Sequence, residues 1–174
     1  MPTRLLVTGP PGCGKTTAVQ VSVDMLRAAG TSVGGFVTRE RRGRGERFAF
    51  DVVALDGPSR MMSHVDWDTG VQIGRFGIDV FAFEAVALPA LQRATVGGGL
   101  VVVDELGLAQ LSSPKFVEAL VELFEGGSPI LATVHAKSHP VTDAILARPD
   151  VEVVTVTDAT RDRLPAELAS RFTR

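Results

Sequence analysis

The chain has 174 residues, 18 basic and 20 acidic side chains, and a formal net charge of −2. That length suits one domain over residues 1–174 around one core, and the charge balance excludes a chain whose overall field would hold a nucleic-acid backbone, so nucleic acid is not an expected partner. Apolar residues at 45% and charged residues at 22% are ordinary folded-protein usage and argue against disorder. No apolar run is long enough to span a membrane. The opening Met1-Pro2-Thr3-Arg4 carries no signal-peptide pattern, so a cytoplasmic location is expected. Cys13 is the one cysteine, which leaves no internal disulfide and no zinc cluster.

Residues 4–8 form a short aliphatic run that reads as a buried strand ending at a glycine and proline turn. Residues 15–29 place Ala18, Val19, Met25, Leu26 and Ala29 at helical spacing, with Gly30 as the stop. A second strand is expected over 33–38 and a third over 48–55. The arginine- and glycine-rich stretch 39–47 between them reads as a mobile hairpin tip. Asp56-Gly57-Pro58-Ser59 is a turn, and 59–80 resolves only into short mixed pieces. Residues 81–95 are helical, with Pro89 as a kink or interruption. Leu100 to Asp104 is a continuous apolar run ending in an acid, as in a central parallel strand. Residues 114–125 form an amphipathic helix with Ser113 as N-cap and Pro114 as its first residue. A strand at 129–134, a helix at 141–147, a strand at 151–156 and a helix at 161–174 complete the chain. Strands alternating with helices predict an α/β fold with a mostly parallel sheet, and the 33–64 segment adds antiparallel strands at an edge.

Gly9-Pro10-Pro11-Gly12-Cys13-Gly14-Lys15-Thr16 fits the pattern G-x-x-x-x-G-K-[ST], with the strand before it and the helix after it that the pattern requires. Glycines let the backbone wrap a phosphate, and the N–H groups that open a helix point at one place with partial positive charge. Lys15 adds a mobile point charge for the β- and γ-phosphates. The Thr16 hydroxyl suits Mg²⁺, and Thr17 suits the α-phosphate. Cys13 reads as a small filler whose backbone N–H matters. Asp104, at a strand tip, fits the acid that holds Mg²⁺. Glu105, leaving the strand on the opposite side, suits a general base for water. An adjacent Asp-Glu pair points to hydrolysis rather than to phosphoryl transfer onto an acceptor.

Thr133 and His135 close the 129–134 strand, where each is either a turn residue or a contact to the γ-phosphate or its attacking water. His139 reads as a solvent-side loop residue, and His64 has no assigned place. Arg39, Arg41, Arg42, Arg44 and Arg47 lie close together with Glu40 and Glu46 among them. They read as a solvated salt-bridged surface, as a loop delivering Arg42 or Arg47 to the triphosphate, or as a nucleic-acid contact.

Over nearly its whole length the chain resembles the small P-loop nucleoside-triphosphatase family, which takes in the cancer-related nucleoside-triphosphatase and its bacterial and archaeal relatives. The resemblance rests on the phosphate loop, on Gly35 to Arg42 with Gly45 to Phe50, on Ile73 to Val80 with Phe83-Glu84, and on Val103 to Gly107 with Leu111-Ser112-Ser113 and Phe116. Ala109-Gln110 stands where a Met-Glu pair is typical. Phe76, Ala49 and Thr160 replace a tyrosine, a glycine and an asparagine. The resemblance implies a three-layer fold related to the RecA and AAA+ cores, with the 129–134 strand between those of the phosphate loop and Asp104. It implies slow, Mg²⁺-dependent hydrolysis of several nucleoside triphosphates with little base specificity. The alternative is a P-loop kinase passing the γ-phosphate to a small-molecule or nucleic-acid acceptor.

Overall fold

The computed structural model describes residues 3–173. The elements, in chain order, are β1 (Arg4–Thr8), α1 (Lys15–Ala28), β2 (Val33–Gly43), β3 (Glu46–Ala54), β4 (Ser59–His64), β5 (Gln72–Ile73), β6 (Phe76–Ile78), α2 (Val80–Val96), β7 (Leu100–Leu106), α3 (Leu108–Leu111), α4 (Pro114–Glu125), β8 (Ile130–Val134), α5 (Pro140–Leu146), β9 (Glu152–Thr155) and α6 (Leu164–Ser170). All nine strands form one sheet in the order β5-β6-β4-β3-β2-β7-β8-β1-β9. The five from β2 to β9 in that order are parallel, and the rest are antiparallel. β8 lies between the phosphate-loop strand and the Asp104 strand, as the family resemblance implies.

Both faces of the parallel half are covered, which explains why its strands read as unbroken apolar runs. Along β7, Val101 and Val103 join one core with Phe83, Phe116 and Leu120 of α2 and α4. Leu100 and Val102 join a second with Val19, Leu26 and Leu168 of α1 and α6. The first core is anchored by Phe36, Phe83 and Phe116, whose rings meet edge to face at centroid separations of 5.0–5.7 Å. Such pairs contribute about 0.5–1.5 kcal/mol each beyond their burial.

Four expectations change. The Arg/Gly stretch is not a nine-residue tip. The strands run on to Gly43 and back from Glu46, and a two-residue turn joins them with φ 51° at Arg44 and 82° at Gly45. Two positive φ values match the twist of a tight hairpin. The antiparallel region also extends past residue 64, because the unassigned 59–80 segment supplies β4, β5 and β6. α2 runs continuously through Pro89. Pro89 and Ala85, whose carbonyl it cannot bond, are both exposed, so that group is open to solvent rather than buried unpaired. The terminal helix spans only Leu164–Ser170. The chain before it turns through hydrogen bonds from Thr160 and Arg161 to the Thr157 carbonyl, and Pro165 sits in the first helical turn. The final residue of the expected helix, Arg174, lies outside the described residues.

Candidate functional site

A cleft of about 470 Å³ opens at the carboxyl ends of β1, β2, β7 and β8. This is where open α/β sheets bind ligands. Its floor is the loop from Gly9 to Gly14. Gly14 is the N-cap of α1 at φ 103° and supplies no side-chain cap. A side chain there would be strained and would press on the Arg161 stem, 3.3 Å away. The uncapped amides of the first turn are therefore free to bind an anion. Lys15 Nζ donates to the carbonyls of Gly9 at 2.9 Å and Pro10 at 3.3 Å, so its charge lies over the loop. Of the predicted loop residues, Pro11, Gly12, Gly14, Lys15, Thr16 and Thr17 line the cleft. Cys13 instead packs against the α1 and α6 core.

Asp104 is fully buried. One carboxylate oxygen, Oδ1, accepts from the Thr16 hydroxyl at 3.0 Å and from the Thr133 hydroxyl at 2.6 Å. The other, Oδ2, is buried with no partner. Burial pushes the Asp104 pKa up to about 6, against the pull of the Thr133 hydrogen bond. A carboxylate with one oxygen unused, beside a hydroxyl, is a hard all-oxygen donor set. Mg²⁺ takes one or two protein oxygens of this kind and fills its remaining positions with water and phosphate. The residues present therefore fit that ion. Thr133 lies on Asp104 and orients the acid, a place that neither of its two readings named.

The register of β7 on β8 shifts between Val103 and Leu106, so Asp104 and Glu105 sit in an irregularity that re-aims their side chains. Glu105 lines the cleft, where a base for water has to be. Burial raises its pKa, opposed by the charges of Lys15 and Arg47. His135 lines the same cleft, and both its ring nitrogens are buried without partners. Burial lowers its pKa, which favours the neutral ring.

Of the hairpin arginines, Arg39, Arg42 and Arg47 line the cleft. Glu40 bridges two of them, with Arg42 Nε at 2.6 Å and Arg47 Nε at 3.1 Å. Arg41 pairs instead with Asp51 at 2.8 Å. Arg42 and Arg47 are thus salt-bridged and face the cleft at once, while Arg41 is a surface pair. His139 is not merely a loop residue: its Nδ1 caps α5 by accepting from the Val141 amide at 3.2 Å. His64 Nδ1 accepts from the Asp66 amide, and the ring packs beside Phe48 and Trp67. Sequence reasoning missed Gln20, Thr38 and Phe50, which also line the cleft. Thr38 and Phe50 fall inside the family-like blocks 35–42 and 45–50, which carried no site role for them, and the pairing of β2 with β3 brings the two blocks together.

The fold and the loop define a P-loop phosphate-binding α/β protein. The family model described as NTPase matches residues 4–169, and the chain belongs to that family. It is 39% identical over 169 residues to the nucleoside-triphosphatase THEP1 of Thermofilum pendens, covering 95% of this chain and 93% of that one. It is 33% identical to the cancer-related nucleoside-triphosphatase homolog of Bos taurus, covering 99% and 97%. The crystal structure of THEP1 from Aquifex aeolicus superposes with a TM-score of 0.90 at 27% identity, covering 99% of this chain and all of that one. No helix among the described residues is long and apolar enough to cross a membrane.

Proposed function

We propose that the chain hydrolyses nucleoside 5′-triphosphates to diphosphate and phosphate, slowly and with little regard for the base. The relatives just described are named as nucleoside-triphosphatases, and nothing among them favours the kinase alternative. Base tolerance is supported by the residues themselves. The cleft is built around phosphate-binding groups, and the chain has no asparagine, so it lacks the N-K-x-D guanine-reading motif.

In this reading the amides from Gly12 to Thr16 and the Lys15 ammonium hold the β- and γ-phosphates, and Thr17 meets the α-phosphate. Thr16 and Asp104 would hold Mg²⁺, which when bound supplies neutralisation of phosphate charge. Glu105 orients a water for in-line attack and takes its proton. Arg42 or Arg47 offsets the charge that develops on the transferring phosphoryl group. The observation that carries this reading is the place of Glu105, a carboxylate in the cleft wall whose pKa burial raises, as suits a proton acceptor, with the charges of Lys15 and Arg47 in opposition.

The test uses purified protein with Mg²⁺ and each of ATP, GTP, CTP and UTP, with no acceptor added. Phosphate release from several of them is expected. Glu105→Gln is expected to bind nucleotide with hydrolysis nearly gone. Turnover at the wild-type rate in that variant would remove Glu105 from the role of base.

A further inference from the structure

Gly107, two residues past Glu105, is buried at φ −112° and ψ 170°. That is extended backbone open to any residue, so conformation does not call for glycine here. Space does. A β-carbon at Gly107 would meet Gln110 Oε1 at 2.7 Å and Glu105 Oε1 at 2.8 Å, both closer than real contacts allow. Since both oxygens lie that near one point, they are at most 5.5 Å apart. Gln110 is itself only 4% exposed, and its Oε1 has no partner.

A buried amide left unpaired is costly. A half-turn of the terminal amide keeps the side chain's shape and exchanges the orphan acceptor for an N–H donor. That donor would lie no more than 5.5 Å from Glu105 Oε1, a separation that one hydrogen bond or one bridging water spans. An amide suits this position because it donates to a carboxylate without bringing a charge of its own.

We infer that Gly107 and Gln110 form a seat for the Glu105 carboxylate, Gly107 by leaving room for it and Gln110 by holding it with its amide. Both are positioning residues. The inference rests on Glu105 acting as the base. The turn into α3 makes the seat, because it places residues 105, 107 and 110 around one small space. The seat acts on the water-activating step and leaves the phosphate loop alone, since Lys15 and Thr16 are held by Gly9, Pro10 and Asp104 instead.

The experiment compares Gln110→Leu, Gly107→Ala and Glu105→Gln with the wild type. It measures steady-state hydrolysis of ATP with Mg²⁺, affinity for a non-hydrolysable triphosphate analogue, and thermal unfolding. Gly107→Ala is the safer variant for folding, because the atoms it displaces are the far ends of flexible side chains. Displacing a reacting group by about 1 Å costs up to ~10²-fold in rate. Both variants should therefore lose about ten- to hundredfold in kcat, with KM and analogue affinity within about threefold of wild type. Wild-type kcat in either folded variant overturns the seat. So does a kcat loss matched by an equal loss of analogue affinity. If Glu105→Gln hydrolyses normally, the base reading fails first. If it is inactive while both seat variants turn over normally, only the seat fails.

Discussion

Asp104 makes the protein's stability depend on pH in a direction opposite to most paired carboxylates, and the effect can be sized. Its pKa is 3.8 in an unfolded chain and about 6 in the fold. The folded state therefore binds the proton more tightly between those values, and stability falls as pH rises through that window. At ~1.36 kcal/mol per pKa unit, holding the ionised carboxylate in the core at pH 7 costs about 3 kcal/mol. Below about pH 3 the carboxyl is neutral in both states, and the cost is absent. Asp104→Asn removes the titration and keeps the shape. Its Oδ1 still accepts from Thr16 and Thr133, while the buried Nδ2 adds a pH-independent offset of about 1–3 kcal/mol. The expected result is a variant-minus-wild-type stability difference that grows by about 3 kcal/mol between pH 3 and pH 7.5.

The assay is urea or thermal unfolding at several pH values, with EDTA and without nucleotide, so that nothing bound stabilises the native state. For a chain of this size the growth corresponds to about 6–12 °C in Tm. His135 works the other way: its lowered pKa gives stability that is full above its unfolded value and lost as pH falls. Both proteins carry it, so it cancels in the difference. A difference independent of pH, or one that shrinks toward neutrality, would refute the account of Asp104 as a strained, desolvated charge.

Three further outcomes are expected. Nucleotide-dependent affinity for Mg²⁺, measured by calorimetry, should weaken below about pH 6, where Asp104 takes up its proton. Arg47→Ala or Arg42→Ala should lower kcat by about a hundredfold or more if that side chain stabilises the transferring phosphoryl group, whereas Arg41→Ala, whose guanidinium is committed to Asp51, should leave kinetics unchanged; steady-state assays of the three separate phosphate work from surface pairing. Phe116→Ala, which takes one ring out of the buried aromatic trio, should cost about 3–5 kcal/mol of stability in urea unfolding.

The parts of the site written in consecutive residues were legible. The phosphate loop is one, because a strand, a glycine turn and a helix N-terminus are local structures with local signals. The apolar run ending at Asp104 is another, as is the Ser113 cap, whose hydroxyl accepts from the Phe116 amide at 3.1 Å. The Arg44-Gly45 turn was not found, because alternating charge on β2 and β3 hid the strand pattern. Its pairing comes from cross-strand contacts such as Arg41 with Asp51. The 59–80 pieces carry too few alternating apolar residues to announce strands, and β5 and β6 form only by adding to an existing edge. Gln110 was visible as a departure from the family pattern, but its nearness to Glu105 depends on a turn that spacing alone does not describe.

The two carboxylates at the end of β7 are adjacent in sequence and have different partners in space. The register shift against β8 accounts for this. In an unbroken ladder, residues 104 and 105 would simply alternate across the sheet, one toward each helical layer. The irregularity instead lets Asp104 sink between Thr16 of α1 and Thr133 of β8, while Glu105 stays at the cleft. The acid that would hold a metal is thus fixed by hydroxyls from two different elements, so its position depends on the sheet order β7-β8-β1. The acid proposed as base is held by the turn immediately after it. Each can then be altered without the other. Thr133→Val should disturb Asp104 and leave the Glu105 seat intact, while Gly107→Ala should do the reverse. Opposite patterns of Mg²⁺ affinity and kcat in those two variants are what this division of labour requires.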